Sequence, residues 1–136
     1  MGKVYFGKCM DCGYEGRYFI GGGLQNCNLL ENIAVLSDDA QHQIRALDAK
    51  NEIMSFEIER MVSVCPNCNA GAKPFVSTVI TVQDIHRQTH VFGVNCPHCN
   101  VKLVRYTEKD LQDTQTVKCP SCQAGYLTFS FGGLWD

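Results

Sequence analysis

The first half of the chain combines short β-type runs with one helical run. Aromatic and β-branched residues dominate 3–8 and 17–20, which predicts two strands on either side of a cysteine-bearing turn. Ser37 and the two aspartates after it are typical of a helix start, and later apolar residues recur at helical spacing, which predicts a helix over about 38–50. The run 53–64 fits a strand or a helix face equally well. We interpret it as a strand because it leads into a second cysteine-bearing turn.

The second half is predicted to be almost entirely β. The runs 75–82 and 90–95 are rich in β-branched and aromatic residues, and the polar stretch between them is typical of a hairpin. Further β-type runs lie at 101–106, 115–118 and 126–131. Thr107, followed three positions later by Asp110, indicates one helical turn before the last cysteines. The fold class predicted is a small β-rich, metal-stabilised α+β fold.

Cysteine spacing is the main chemical signal in this chain of 136 residues. Eight of the nine cysteines form four C-x-x-C motifs, which are Cys9/Cys12, Cys65/Cys68, Cys96/Cys99 and Cys119/Cys122. A turn with thiolates at i and i+3 presents two sulfurs to one ion, and two such turns complete a tetrahedral zinc site. Three of the motifs have proline after the first cysteine, which fixes φ for the turn. The pattern predicts two structural Zn²⁺ ions, with iron as a possible substitute in the same geometry.

The separation of the motifs predicts which cysteines share an ion. The third and fourth motifs are 19 residues apart, within the spacing of about 15–20 that is typical of a zinc site. We therefore predict that site 1 consists of Cys9, Cys12, Cys65 and Cys68, and that site 2 consists of Cys96, Cys99, Cys119 and Cys122. The alternative is an interleaved arrangement, in which the first motif joins the third and the second joins the fourth.

This sequential pairing divides the chain into two zinc-ribbon or rubredoxin-like modules. The predicted N-terminal zinc-binding module covers 1–72 and contains a helical insertion at about 28–52, and the predicted C-terminal zinc ribbon covers 73–136. Folds below about 70–80 residues usually need a crosslink in addition to their hydrophobic core. Zinc binding is therefore predicted to be inseparable from folding.

Several stretches together resemble a known family. The segment CMDCGYEGRYFIGGG, a helical insertion, a β run into the second motif, and a CPHC…CPSC ribbon ending near LWD are similar to the uncharacterised double zinc-ribbon proteins of bacteria, chiefly Firmicutes. The resemblance implies a double zinc-ribbon fold and two zinc ions, and it implies no activity. This chain has Asn69, Asn100 or Gln123 where the family commonly has glycine after the second cysteine.

The chemistry favours a non-enzymatic protein-interaction module. Closed four-cysteine sites leave no coordination position for a reactive water, and the sequence indicates no catalytic residue and no small-molecule substrate. His86 and His90 have a spacing that would suit a metal only in a helix, and β-type runs surround them. Nucleic-acid binding is an alternative that the net charge of −2 disfavours. A rubredoxin-like or thiol redox role is a second alternative, although Cys27 has no adjacent Lys or Arg to activate its thiol.

The sequence also predicts where the protein is located and how its C-terminal tail packs. No segment resembles a targeting signal, and no apolar run approaches the ~20 residues that span a bilayer, so a cytoplasmic, membrane-free protein is expected. Trp135 is predicted to pack against the sheet after the chain reverses at Gly132 and Gly133.

Overall fold

The computed structural model describes residues 2–22, 28–68 and 73–135. Its strands are β1 (Gly2–Cys9), β2 (Glu15–Gly21), β3 (Ile53–Val64), β4 (Phe75–Asp84), β5 (Thr89–Gly93), β6 (Val104–Tyr106) and β7 (Leu127–Trp135). Its helical segments are α1 (Leu29–Asn32), a 3-10 turn (Ile33–Val35), α2 (Asp38–Ala49) and α3 (Glu108–Leu111). The predicted helix over 38–50 and the strand over 53–64 are confirmed. The predicted strand at 115–118 is wrong, because only an isolated bridge from Lys118 to Tyr126 forms there.

The seven strands belong to one antiparallel sheet in the order β5-β4-β3-β2-β1-β7, and β6 pairs with β3. β3 and β4 pair along almost their whole lengths. At the other end of the sheet, β1 lies between β2 and β7, with Gly2 opposite Trp135. The boundary predicted between the modules 1–72 and 73–136 falls between β3 and β4. The described chain is therefore not divided into two modules at that point.

Two apolar clusters hold the sheet to its neighbours. The helical insertion packs on β3, β4 and β5, and the Oγ of Ser37 caps α2 by accepting the amide of Ala40 at 3.2 Å. Members of this cluster include Leu29, Ile33, Leu36, Ile44, Ile58, Ile80, Val82 and Phe92. The second cluster joins β1, β2 and β7 to the segment that follows β6, and it includes Tyr5, Cys9, Tyr18, Leu111, Val117, Cys119 and Leu127. Cysteines thus form part of the core. No helix in the described ranges is long and apolar enough to cross a membrane.

The C-terminal tail packs as predicted but reaches its place by a different route. The indole of Trp135 is half-buried, its Nε1 donates to the carbonyl of Ile20 at 3.0 Å, and its ring meets Phe19 edge-on at 6.1 Å. The predicted reversal at Gly132 and Gly133 is wrong, because β7 continues straight to Trp135. Because β7 continues, its backbone hydrogen-bonds to β1 as far as Trp135, with one bulge in the pairing.

Candidate metal centres

The C-x-x-C motifs are built on one type of tight turn. In the first motif, the amide of Gly13 donates to the carbonyl of Cys9 at 2.9 Å. The equivalent bonds in the third and fourth motifs run from Asn100 to Cys96 and from Gln123 to Cys119. Such a turn places the two sulfurs of a motif on the same side of the chain, as a shared ion requires.

A left-handed residue closes each of these turns. The φ angles of Gly13, Asn100 and Gln123 are 79°, 60° and 57°. This backbone favours glycine and is tolerated by asparagine. The three positions thus share one backbone conformation, and Gln123 is the residue type that fits it least well. Asn69, at the equivalent position of the second motif, lies outside the described residues.

The structure gathers the eight cysteines into two quartets. Within each quartet the sulfur atoms all lie within 4.8 Å of one another. We call them the outer quartet, which is Cys9, Cys12, Cys119 and Cys122, and the inner quartet, which is Cys65, Cys68, Cys96 and Cys99. The sequential pairing predicted above is therefore wrong, and so is the interleaved alternative. The motifs are nested, with the first joining the fourth and the second joining the third.

Strand register explains the nested arrangement. Cys9 ends β1 opposite Leu127, the first residue of β7, so the motif that immediately precedes β7 lies beside the first motif. Similarly, Val64 at the end of β3 is opposite Val104 of β6, so the motif that precedes β6 lies beside Cys65. The spacing along the chain had suggested a local ribbon between the third and fourth motifs, whereas the sheet pairs them with distant partners.

Distances between sulfurs in each quartet fit a shared ion. They are 3.7 Å for Cys9–Cys122 and 3.5 Å for Cys12–Cys119 in the outer quartet. In the inner quartet they are 3.4 Å for Cys65–Cys99 and 3.5 Å for Cys68–Cys96. A disulfide would require about 2.05 Å. Four sulfurs at about 2.3 Å from a tetrahedral zinc ion are about 3.8 Å apart, close to what is found here.

In the second and fourth motifs, backbone amides donate to the sulfur of the first cysteine. The amides of Asn67 and Cys68 donate to the Sγ of Cys65 at 3.4 and 3.2 Å. The amide of Ser121 donates to the Sγ of Cys119 at 3.4 Å. Bonds of this kind stabilise the thiolate, the form of cysteine that binds metal.

The thiols of each quartet differ strongly in acidity. In the inner quartet, the backbone amides of Cys99 and His98 lower the pKa of Cys96 to about 6. Burial works against the charged form of Cys119, yet the amides and thiols around it lower its pKa to about 7. The pKa of Cys68 moves the other way, to about 12, chiefly because its thiol hydrogen-bonds the neighbouring sulfur of Cys96. Each quartet thus favours some negative charge but opposes four thiolates together, and a divalent cation would remove that opposition. The donor set therefore fits zinc.

Among the described residues, the two histidines considered from the sequence belong to neither cysteine quartet. His86 and His90 belong to the β4–β5 hairpin, where the Nε2 of His90 lies 3.0 Å from the Oδ2 of Asp84. Asp84 is buried and also accepts the amides of His86 and Gln88. Sequence reasoning missed this carboxylate, although an aspartate that begins a polar hairpin turn is a usual signal for it. Cys27 lies outside the described residues.

Comparison of the chain with protein-family models, with curated proteins and with solved structures gives no match. The centres are accordingly interpreted from their own geometry. The resemblance to double zinc-ribbon proteins stays a prediction.

Proposed function

We propose that this protein binds two zinc ions at closed structural sites and acts as a non-enzymatic binding module. The observation that carries the proposal is the pair of quartets, each with four free thiols at tetrahedral spacing. Zinc in such a site is held by four protein ligands and supplies folding energy rather than chemistry. Iron fits the same geometry, so a rubredoxin-like protein is the alternative. Identifying the bound metal distinguishes the two.

Burial of the quartets supports a structural role. Cys9 and Cys119 are 0% and 1% exposed and belong to the apolar cluster that includes Leu127. Cys65 and Cys96 form a smaller cluster with Leu103. An ion in either quartet would therefore crosslink residues of the core, which is how small metal-stabilised folds compensate for limited apolar burial.

The surroundings of the quartets support a role without catalysis. Four thiolates would fill the coordination sphere of each ion and leave no position for a reactive water. A cleft of about 500 Å³ lies beside both quartets, and Cys65, Tyr106, Lys118 and Tyr126 are among its lining residues. The described residues that line it include no carboxylate and no histidine, and histidine is the side chain most often used in general acid–base catalysis.

The setting we propose for this module is a reducing compartment. All eight described cysteines are unpaired thiols, which persist in the cytoplasm but tend to oxidise outside it. For the molecule as a whole, a net charge of −2 favours a protein as partner. Binding of a nucleic acid requires clustered cations, so it depends on the local distribution of charge rather than on the net charge.

Metal analysis of protein purified without added metal tests the zinc proposal. Two zinc ions per chain are expected by elemental analysis, with no visible absorption from an iron–thiolate centre. Cys119→Ser should lower the count to one and destabilise the fold, whereas the matched control Cys27→Ser should retain two ions. A chain that carries no metal, or two iron ions in place of zinc, would refute the proposal.

A further inference from the structure

One face of the β2-β1-β7 part of the sheet carries exposed aromatic rings. Residues opposite one another in antiparallel strands share a face, and Phe6 is opposite Arg17 while Val4 is opposite Phe19. The opposite face bears Tyr5, which belongs to the core. Phe6 and Phe19 are nevertheless 41% and 39% exposed. We call the surface formed by Phe6, Arg17, Phe19, Arg60 and Trp135 the aromatic face.

Two of its rings lie along the sheet surface above glycines. A Cβ on Gly2 would overlap the indole of Trp135, and a Cβ on Gly132 would overlap the ring of Phe6. The indole extends from β7 across β1 and reaches the carbonyl of Ile20 in β2. Each ring therefore rests on backbone on one side, and Phe6 remains 41% exposed.

An arginine lies over each of these two rings. The guanidinium carbon of Arg17 lies 5.6 Å from the centroid of Phe6, and that of Arg60 lies 5.3 Å from the centroid of Trp135. Phe19 meets Trp135 at 6.1 Å, so the rings and guanidinium groups form a continuous surface. Covering a glycine with an aromatic ring is a known way to stabilise a sheet, and it accounts for Phe6 and Trp135. Covering of glycines does not account for the half-exposed ring of Phe19 or for the two arginines that lie over the rings.

The charge of this face is opposite in sign to that of the whole molecule. Arg17 and Arg60 lie against the rings, and Lys8 shares the same face of β1 as Phe6. Within β1, β2 and β7 the acidic residue is Glu15, whose carboxylate lies 3.6 Å from the Nζ of Lys8. The net charge of −2 of the chain thus conceals a local excess of cations. Such an excess complements a polyanion.

We propose that the aromatic face binds single-stranded nucleic acid. Bases stack on Phe6, Phe19 and Trp135, and Arg17 and Arg60 hold phosphates or stack on bases in turn. Half-exposed rings interleaved with arginines on an open sheet are the elements that bind unpaired bases, because every base has a π-face. The face carries few groups that could read base edges, so little sequence preference is expected. The inference rests on the proposed function, since the outer ion would fix the end of β1 beside the start of β7.

Trp135 is the single tryptophan of the chain and reports directly on binding. The zinc-loaded protein is titrated with an unstructured oligothymidylate of about 12 nucleotides, a length within the usual site size of single-strand-binding folds. Stacking should quench the Trp135 emission. The slope of log affinity against log salt should be about −1.4, corresponding to two phosphate contacts on a single strand. A duplex of the same length should bind at least tenfold more weakly.

Matched variants separate the aromatic face from the rest of the surface. Phe6→Leu and Phe19→Leu keep an apolar side chain but remove the ring, and each should weaken binding about tenfold. Arg17→Ala should weaken binding and flatten the salt dependence. The controls are Phe131→Leu and Arg45→Ala. Phe131 is 59% exposed and lies beside Tyr5 on the opposite face, and Arg45 lies on α2. Both controls should bind as the unmodified protein does.

Three outcomes would overturn the proposal. They are no binding by protein that carries two ions, equal weakening by the control variants, and quenching by polyglutamate that matches quenching by the oligonucleotide. The last result would identify an acidic peptide as the occupant. Counting the metal in the same samples separates the two proposals. A chain with two ions that ignores the oligonucleotide refutes only this one, whereas a metal-free chain that binds it refutes only the zinc proposal.

Discussion

Paired cysteine substitutions test the nested arrangement directly. Cys12→Ser combined with Cys122→Ser removes two ligands from the outer quartet and leaves the inner one complete. Cys12→Ser combined with Cys68→Ser removes one ligand from each quartet. Both variants lose two thiols, so each is the control of the other. Nested pairing predicts one ion for the first variant and none for the second.

The energies involved explain why the chain can adopt the nested arrangement. The outer quartet joins Cys12 to Cys119 across a separation of 107 residues, and the inner quartet joins Cys68 to Cys96 across 28. Sequential pairing would shorten the longer loop by about half, which saves only about 0.6 kcal/mol of closure entropy. A structural zinc ion contributes on the order of 10 kcal/mol. Loop length is therefore a weak constraint, and the strand pairing of β1 with β7 decides the partners.

Native mass spectrometry counts the ions that remain on each folded chain. The first variant should retain one ion and unfold at a lower temperature than the unmodified protein, because the outer quartet is part of the core. The reverse pattern, with no ion on the first variant and one on the second, would establish sequential pairing. Loss of both ions from both variants would fit the interleaved arrangement and would equally refute the nested one.

Three further predictions concern single residues. Asp84→Asn should destabilise the protein at neutral pH, because hydrogen bonds from a histidine ring and from backbone amides lower the pKa of this carboxyl. The pKa of Asp84 is lower in the folded state than in the unfolded state, so its carboxylate contributes fully to stability above about pH 4 and the contribution disappears as the pH falls. The difference in Tm between the variant and the unmodified protein should therefore shrink on acidification. Gly13→Ala should cost about 1–2 kcal/mol through its left-handed φ of 79°, whereas Gln123→Gly, at 57°, should stabilise by up to about 1 kcal/mol in denaturant unfolding. Gly2→Ala should displace the indole of Trp135, cost about 1–3 kcal/mol and shift its fluorescence to the red, and an unchanged emission would contradict the packing described.

Local features of the chain were predictable from the sequence. The strand over 53–64 matched its observed bounds, and the helix over 38–50 ended one residue earlier, at Ala49. The helix depends on a capping serine and on apolar residues at helical spacing, and the strand on the C-x-x-C turn that directly follows it. The turns of the C-x-x-C motifs were predictable for the same reason.

Long-range pairing was not predictable in the same way. Nothing in the residues near Cys9 indicates that β1 will pair with β7, because the choice depends on the summed hydrogen bonds and packing of whole strands. The tail shows the same limit. Two glycines suggested a reversal, but an available neighbouring strand made continuation of β7 more favourable. Spacing between motifs is a reliable guide only when the intervening segment folds on its own.

The nested quartets impose an order on the assembly of the protein during translation. Synthesis proceeds from the N-terminus, so the four thiols of the inner quartet are complete once Cys99 has emerged from the ribosome. The first motif must wait for Cys122, and until then β1 has β2 but not β7 as a neighbour. During that interval Cys9 and Cys12 are two unpartnered thiols in a partly formed sheet, open to oxidation or to capture of the wrong metal. A slow ribosome or a shortage of metal would accordingly harm the outer centre before the inner one.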